Sequence, residues 1–241
     1  MAKRGRLDQF IAKHLQEPKK RVRQWMRESH VVLNEQVVFA ADTQIDEFDT
    51  VVCHGQVLQQ RSPCYYLLHK PDGVVSATKD TQHPTALALL DESIQAQDML
   101  HIAGRLDLHS TGALLITNDA RWSQALMSPQ AKLSKHYLVT LANPIDESYV
   151  SGFAKGMYFE FEDITTQPAI LKIVSEHQAI VELQEGKYHQ IKRMFGRFRN
   201  PVVGLHRFAI GNIQLGDLPE SHWRALTPEE VQSVWQNAKP K

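Results

Sequence analysis

The chain has 241 residues, 42% hydrophobic and 22% charged, the balance of an ordinary globular protein with room for a small domain beside a larger one. Two cysteines, Cys53 and Cys64, exclude a disulfide framework and a Cys-x-x-Cys pair and point to a reducing compartment. Lys plus Arg equals Asp plus Glu at 27 each, no apolar core follows the basic start Met1-Ala2-Lys3-Arg4-Gly5-Arg6, and no apolar run is long enough to span a bilayer, so a cytoplasmic chain without a membrane partner is expected.

The neutral total hides an uneven distribution. Residues 1–30 hold nine Lys or Arg against three acidic residues, residues 31–60 hold five acidic residues and no Lys or Arg, and residues 185–210 hold six basic residues against one acidic. Two basic segments in a neutral chain suggest a localised polyanion-binding surface, or else two solvated helix faces.

Residues 6–29 read as two short helices. Leu7, Phe10, Ile11 and Leu15 repeat at helical spacing, and Pro18 interrupts them. A second helix places Val22, Trp25 and Met26 on one face, with Lys19, Lys20, Arg21, Arg23 and Arg27 largely around the other. Strands at 31–33, about 37–39 and 50–53 complete a helix–helix–hairpin unit of about sixty residues. Residues 56–63 read as a linker, which sets the domains at 1–59 and 60–241.

Beyond the linker, strands are expected at 65–69, 114–117, 137–141, 169–174, 179–183 and 202–210. Helices are expected at 85–90, 120–127, 146–155, 189–198 and 228–236. Few regular crossovers separate these strands, which predicts an α+β domain with a large, mainly antiparallel mixed sheet.

The segment of most chemical interest is Gly104-Arg105-Leu106-Asp107-Leu108-His109-Ser110-Thr111-Gly112, followed by the apolar run 113–116. A carboxylate between two leucines is partly shielded from water. Burial raises its pKa and a nearby cation lowers it, so an ionised Asp107 would need such a cation. A loop-capping aspartate is the plain alternative. No phosphate-cradling Gly-x-x-x-x-Gly-Lys loop is present, and the twelve histidines form no evident metal-ligand pattern, so no cofactor and no metal are expected.

The N-terminal order of basic helices and hairpin resembles the S4 RNA-binding domain over residues 6–55. Arg6-Leu7-Asp8 opens the first helix, and Val31-Val32-Leu33-Asn34-Glu35-Gln36-Val37 is the hairpin. The resemblance implies backbone contacts to RNA from Arg6, Lys19, Lys20, Arg21, Arg23 and Arg27, contacts that position a strand without reading its sequence. An amphipathic helical pair used only for packing is the alternative.

The longer segment around Asp107 resembles the central motif of the RsuA/RluB branch of pseudouridine synthases, and the likeness runs from Arg6 to about Val234. It implies that Asp107 is the catalytic aspartate and that Arg105 contacts RNA near a flipped nucleotide. Lys70-Pro71 resembles the first motif, with His69 where Asn is usual. Lys135-His136-Tyr137 resembles the motif that supplies the active-site tyrosine, so Tyr137 would stack on the base. Lys187-Tyr188-His189-Gln190-Ile191-Lys192-Arg193 resembles the C-terminal motif, whose basic residue pairs with the aspartate. By register that residue is Lys192, with Arg193 as the competing neighbour and Lys187, His189 and Arg193 as further RNA contacts.

Within the branch, Glu185-Gly186-Lys187-Tyr188-His189 is most similar to enzymes of the small ribosomal subunit. That implies action on uridine 516 of 16S ribosomal RNA, free or in an assembly intermediate with ribosomal proteins; with no sign of an oligomer interface in the sequence, a monomer is the default expectation. A large-subunit (23S) enzyme of the same branch and a non-catalytic ribosome-assembly factor are the alternatives.

Overall fold

A computed structural model describes residues 5–97, 99–160 and 162–238; Lys3 and Arg4 of the basic start lie outside them. The chain divides into two compact units, 1–63 and 64–241. Among the described residues, no helix is long and apolar enough to cross a membrane.

The first unit contains β1 (Gly5–Arg6), α1 (Leu7–His14), α2 (Lys19–Arg27), β2 (Val31–Leu33), β3 (Gln36–Val37), β4 (Gln44–Ile45), β5 (Val51–Cys53) and β6 (Gln56–Gln59). The two helices fall where periodicity places them, and Pro18 sits at the N-cap of α2. Their apolar stripes, Leu7 and Ile11 from α1 and Val22 and Met26 from α2, close over Val31, Ile45 and Val51. Gln56–Gln59 is not a linker, because it pairs antiparallel with β5 and finishes the sheet β3-β2-β5-β6. Its polar sequence suits an edge strand, with Leu58 buried against the core and its neighbours facing solvent.

The second unit runs β7 (Tyr65–Lys70), α3 (Glu92–Gln95), β8 (His101–Ala103), β9 (Thr111–Thr117), α4 (Ala120–Met127), β10 (Lys135–Leu141), α5 (Glu147–Lys155), β11 (Tyr158–Phe159), β12 (Ile164–Thr165), β13 (Ile170–Ser175), β14 (Gln178–Leu183), α6 (Gln190–Gly196), β15 (Val202–Ile210), β16 (Ile213–Gln214), β17 (Trp223–Ala225) and α7 (Pro228–Ala238). The expected helix at 85–90 is a single 3-10 turn, Ala86–Leu89, capped by the Thr85 hydroxyl. The main sheet has the order β13-β14-β10-β15-β9-β7-β17, with β16 beside β15 and β8 beside β9. Every pairing in it is antiparallel except β15 with β9.

Both faces of the centre are covered, so β9 is apolar at nearly every position rather than alternating. Leu68, Leu114, Ile116, Tyr137 and Val139 pack on one side with Phe153, Ile191, Met194 and Phe195 from α5 and α6. Leu67, Ala113 and Leu115 pack on the other side with Trp122, Leu126 and Val234 from α4 and α7. Asp119 starts α4 by accepting from the backbone N–H groups of Arg121 and Trp122 at 2.9 and 3.1 Å.

Candidate active site

The loop from β8 to β9 carries Asp107 and is fastened from three directions. The Ser76 hydroxyl donates to the Leu106 carbonyl at 2.7 Å and accepts from the Leu106 N–H at 3.0 Å. Arg207 of β15 is buried, and its Nη2 donates to the Gly104 carbonyl at 2.8 Å while Nε donates to the Ala113 carbonyl at 2.9 Å. Lys70, at the end of β7, is fully buried and donates from Nζ to the carbonyls of Pro71, Leu108 and Ser110 at 2.9, 3.1 and 2.8 Å. Three donors thus close both ends of a short loop that would otherwise bury unpaired carbonyls.

Burial pushes the Lys70 ammonium down to about 8, against the opposing pull of Asp72 and Asp107. Between about pH 8 and 10.5 the native amine has lost its proton while the unfolded one keeps it. The unfolded state then binds more protons, so stability rises with pH across that window. Urea midpoints measured at pH 7 to 10.5 should show this rise in the native sequence and lose it in Lys70→Met. Equal pH slopes for the two proteins would refute it.

Asp107 is partly open, with 31% of its side chain exposed. Its Oδ2 lies 3.4 Å from Lys192 Nζ and its Oδ1 lies 3.3 Å from His189 Nε2. Lys192 is therefore the cation that sequence register assigns. Arg193 is not: its guanidinium forms a double hydrogen bond with Glu162 and lies 3.8 Å over the Phe159 ring. The second partner of Asp107, His189, was expected only as an RNA contact.

His189 reaches Asp107 because it adopts a left-handed conformation, φ 48°, at the N-cap of α6. The approach to it is braced by Gln190, whose Oε1 accepts from the Lys187 N–H at 3.0 Å and whose Nε2 donates to Glu185 at 2.6 Å. Glu185 in turn accepts from the Gln167 N–H at 2.8 Å. Lys187 pairs with Glu185 at 3.5 Å.

Asp107 opens on a cleft of about 440 Å³, within the roughly 300–1,000 Å³ usual for small-ligand sites. Asp107, Lys192, His189, Tyr137 and Arg105 all contribute to it. Tyr137 forms part of the wall beside β15, with the Arg207 guanidinium 6.0 Å from its ring centre. Arg105 is exposed at the rim. Two cations beyond those expected also line the cleft, Lys135 and Arg207. Burial pushes the Lys135 ammonium down, the Arg207 charge adds to that, and Glu185 opposes it. The cleft therefore sets one carboxylate among several cations, a field that favours a polyanionic substrate. The signal for Arg207 was present in the sequence as an arginine inside the strand 202–210, where a charge has to find buried partners.

In the first unit, Lys19, Lys20, Arg21, Arg23 and Arg27 are exposed on α2. Two expected RNA contacts have a structural duty as well. Arg6 and Arg23 both pair with the fully buried Asp8, at 3.1 and 2.9 Å. Burial alone would raise the Asp8 carboxyl, but the two guanidinium groups outweigh it and hold it below its ordinary value. Arg21 pairs with Glu17 and lies over the Trp25 ring at 5.4 Å.

Comparisons with known proteins bear on the family of the chain. The model of the family described as RNA pseudouridylate synthase matches residues 64–196. The chain is 43% identical over 231 residues to the Ribosomal small subunit pseudouridine synthase A of Pseudomonas aeruginosa, covering 95% of this chain and 100% of that relative. It is 40% identical to the protein of the same name from Escherichia coli strain K12, covering 95% and 99%. A solved structure described as a crystal structure of pseudouridylate synthase aligns with TM-score 0.69 and 36% identity over 95% of this chain and 99% of that one. On these matches the chain belongs to the RNA pseudouridylate synthase family.

Proposed function

We propose that this protein isomerises one uridine of small-subunit (16S) ribosomal RNA, uridine 516, to pseudouridine. The observation that carries the reading is Asp107 held between Lys192 and His189 in a cleft that Tyr137 also lines. The relatives named as small-subunit pseudouridine synthases support the choice of subunit. The substrate is the RNA itself or an assembly intermediate carrying ribosomal proteins, met in the cytoplasm.

The target uridine leaves its stack to enter the cleft, at a cost of a few kcal/mol that pocket and phosphate contacts offset. Asp107 acts on the ribose while the N1–C1′ bond breaks. Lys192 sets a positive charge 3.4 Å from the carboxylate, and Tyr137 supports the detached uracil as it turns. The C5–C1′ bond then forms, C5 gives up its proton and N1 gains one. The product is an isomer, so the reaction consumes no redox equivalent and no energy source. Arg105, at the rim, contacts the RNA beside the flipped nucleotide, with Lys187, His189 and Arg193 nearby.

The test is modification of unmodified 16S and 23S transcripts and of assembly intermediates, mapped for pseudouridine at nucleotide resolution. A single 16S site is expected. A 23S product would move the chain to the large-subunit enzymes, and no product on any form would leave an RNA-binding factor.

The first unit is proposed to be an S4-like RNA-binding module working through α2. Each phosphate contact made to a single strand contributes roughly 0.7 to the slope of log affinity against log salt. Replacing Lys19, Lys20 and Arg27 together with alanine should therefore lower that slope by about 2, read from binding titrations between 50 and 200 mM salt. An unchanged slope would count against an RNA-facing α2.

A further inference from the structure

We infer that Tyr188 is a stacking platform for a base flanking the uridine that enters the Asp107 cleft; the inference rests on the function proposed above. Tyr188 is 75% exposed, more than any other large hydrophobic residue among the described residues. It is nonetheless fixed in place. The His189 ring lies 3.9 Å behind it, tilted by only 21°. His189 is itself anchored through Nε2 to Asp107 at 3.3 Å. With one face backed by imidazole, the exposed area of Tyr188 is the opposite face and the ring edges.

Three observations choose the partner. The ring lines the same cleft as Asp107, so whatever covers it lies beside the reacting nucleotide. Lys187 and Arg105 line that cleft with it and supply charge for the phosphates on either side of a stacked base. The Tyr188 hydroxyl has no hydrogen-bond partner among the described residues, whereas the half-exposed Tyr158 is tied through its hydroxyl to Asp163. Tyr188 is thus held as a flat surface and not as a hydrogen-bonding group. Every base has a face that such a surface accepts, and a rigid aromatic ring loses little freedom in taking it. The platform would also receive a neighbour that loses its stacking partner when the uridine swings out.

Steady-state kinetics on an unmodified small-subunit ribosomal RNA transcript should show KM rising about tenfold in Tyr188→Ala with kcat changed less than about twofold. Tyr188→Phe should restore KM, because stacking needs the ring and not the hydroxyl. A KM unchanged in Tyr188→Ala would overturn the inference. So would a fall in kcat at constant KM, which would mean that Tyr188 acts only through His189 on Asp107. A second measurement does not depend on turnover. In Tyr188→Trp, the emission added to that of the native tryptophans should be quenched as the same transcript is titrated in. Binding without quenching would overturn the platform. Quenching in a chain that forms no pseudouridine would uphold the platform while refuting the function proposed.

Discussion

Replacement of Asp107 by asparagine should lower pseudouridine formation by at least about a thousandfold while RNA affinity changes by less than about threefold. Asparagine has nearly the shape of aspartate and can occupy the same loop, so the folded site should survive. What it lacks is the charge and the basic, nucleophilic oxygen on which the ribose chemistry depends. The Lys192 ammonium would lose its anionic partner, and His189 would keep only a neutral acceptor. Neither loss weakens the hold on phosphate, because the variant removes a negative charge from a cleft that must take a polyanion. The reading is direct: tritium released from RNA labelled at uridine C5, beside a binding titration of the same RNA. Turnover retained at a tenth of the native rate would sink the assignment.

The second large effect is expected at Gly112, where the chemistry is not involved at all. Its φ is +104°, and a Cβ built there would lie 2.2 Å from the Arg207 carbonyl oxygen and 2.8 Å from the Arg207 nitrogen. Both are backbone atoms of the strand that runs parallel to it, in a register that pairs Arg207 with Gly112. No rotamer change relieves a clash with backbone, so the strands would have to part at the one parallel pairing of the sheet. Gly112→Ala should cost roughly 3–5 kcal/mol and lower the melting temperature of the catalytic unit by about 10 °C. Gly73→Ala is the control. Its φ is +73° and nothing lies within 4 Å of the added carbon, so it should cost only about 1 kcal/mol. Calorimetry on the two variants separates the terms, and equal losses would show that φ alone matters.

The difference between what was legible and what was not follows from sequence distance. The strands expected at 65–69, 137–141 and 202–210 fall within two residues of β7, β10 and β15, because their apolar residues are contiguous or alternate locally. His101–Ala103 and Trp223–Ala225 did not, because three residues carry too little pattern and their strand character comes from the neighbours they pair with, β9 and β7. Gln56–Gln59 was hidden by its glutamines, which suit an exposed edge as well as a linker. In the site, Asp107, Tyr137 and Lys192 were readable as motifs. The binding of Asp107 by His189 was not, since it depends on one residue adopting a left-handed backbone. Nor was the fastening of the loop by Lys70 and Arg207, whose partners are carbonyl groups that leave no trace in side-chain pattern.

The two side chains beside Asp107, His189 and Lys192, stand three residues apart, at the N-cap and in the first turn of one short helix. They cannot move independently. Any shift of α6 withdraws both together, so the contacts of the carboxylate depend on where that helix docks. The docking is decided on its hidden side, where Ile191, Met194 and Phe195 seat against Phe153 and the sheet. A methyl group lost there, remote from any RNA, would reach the reaction through geometry alone. The apolar packing of α6 is in this sense a lever arm, and the part of the protein with no chemistry of its own sets whether the chemistry happens.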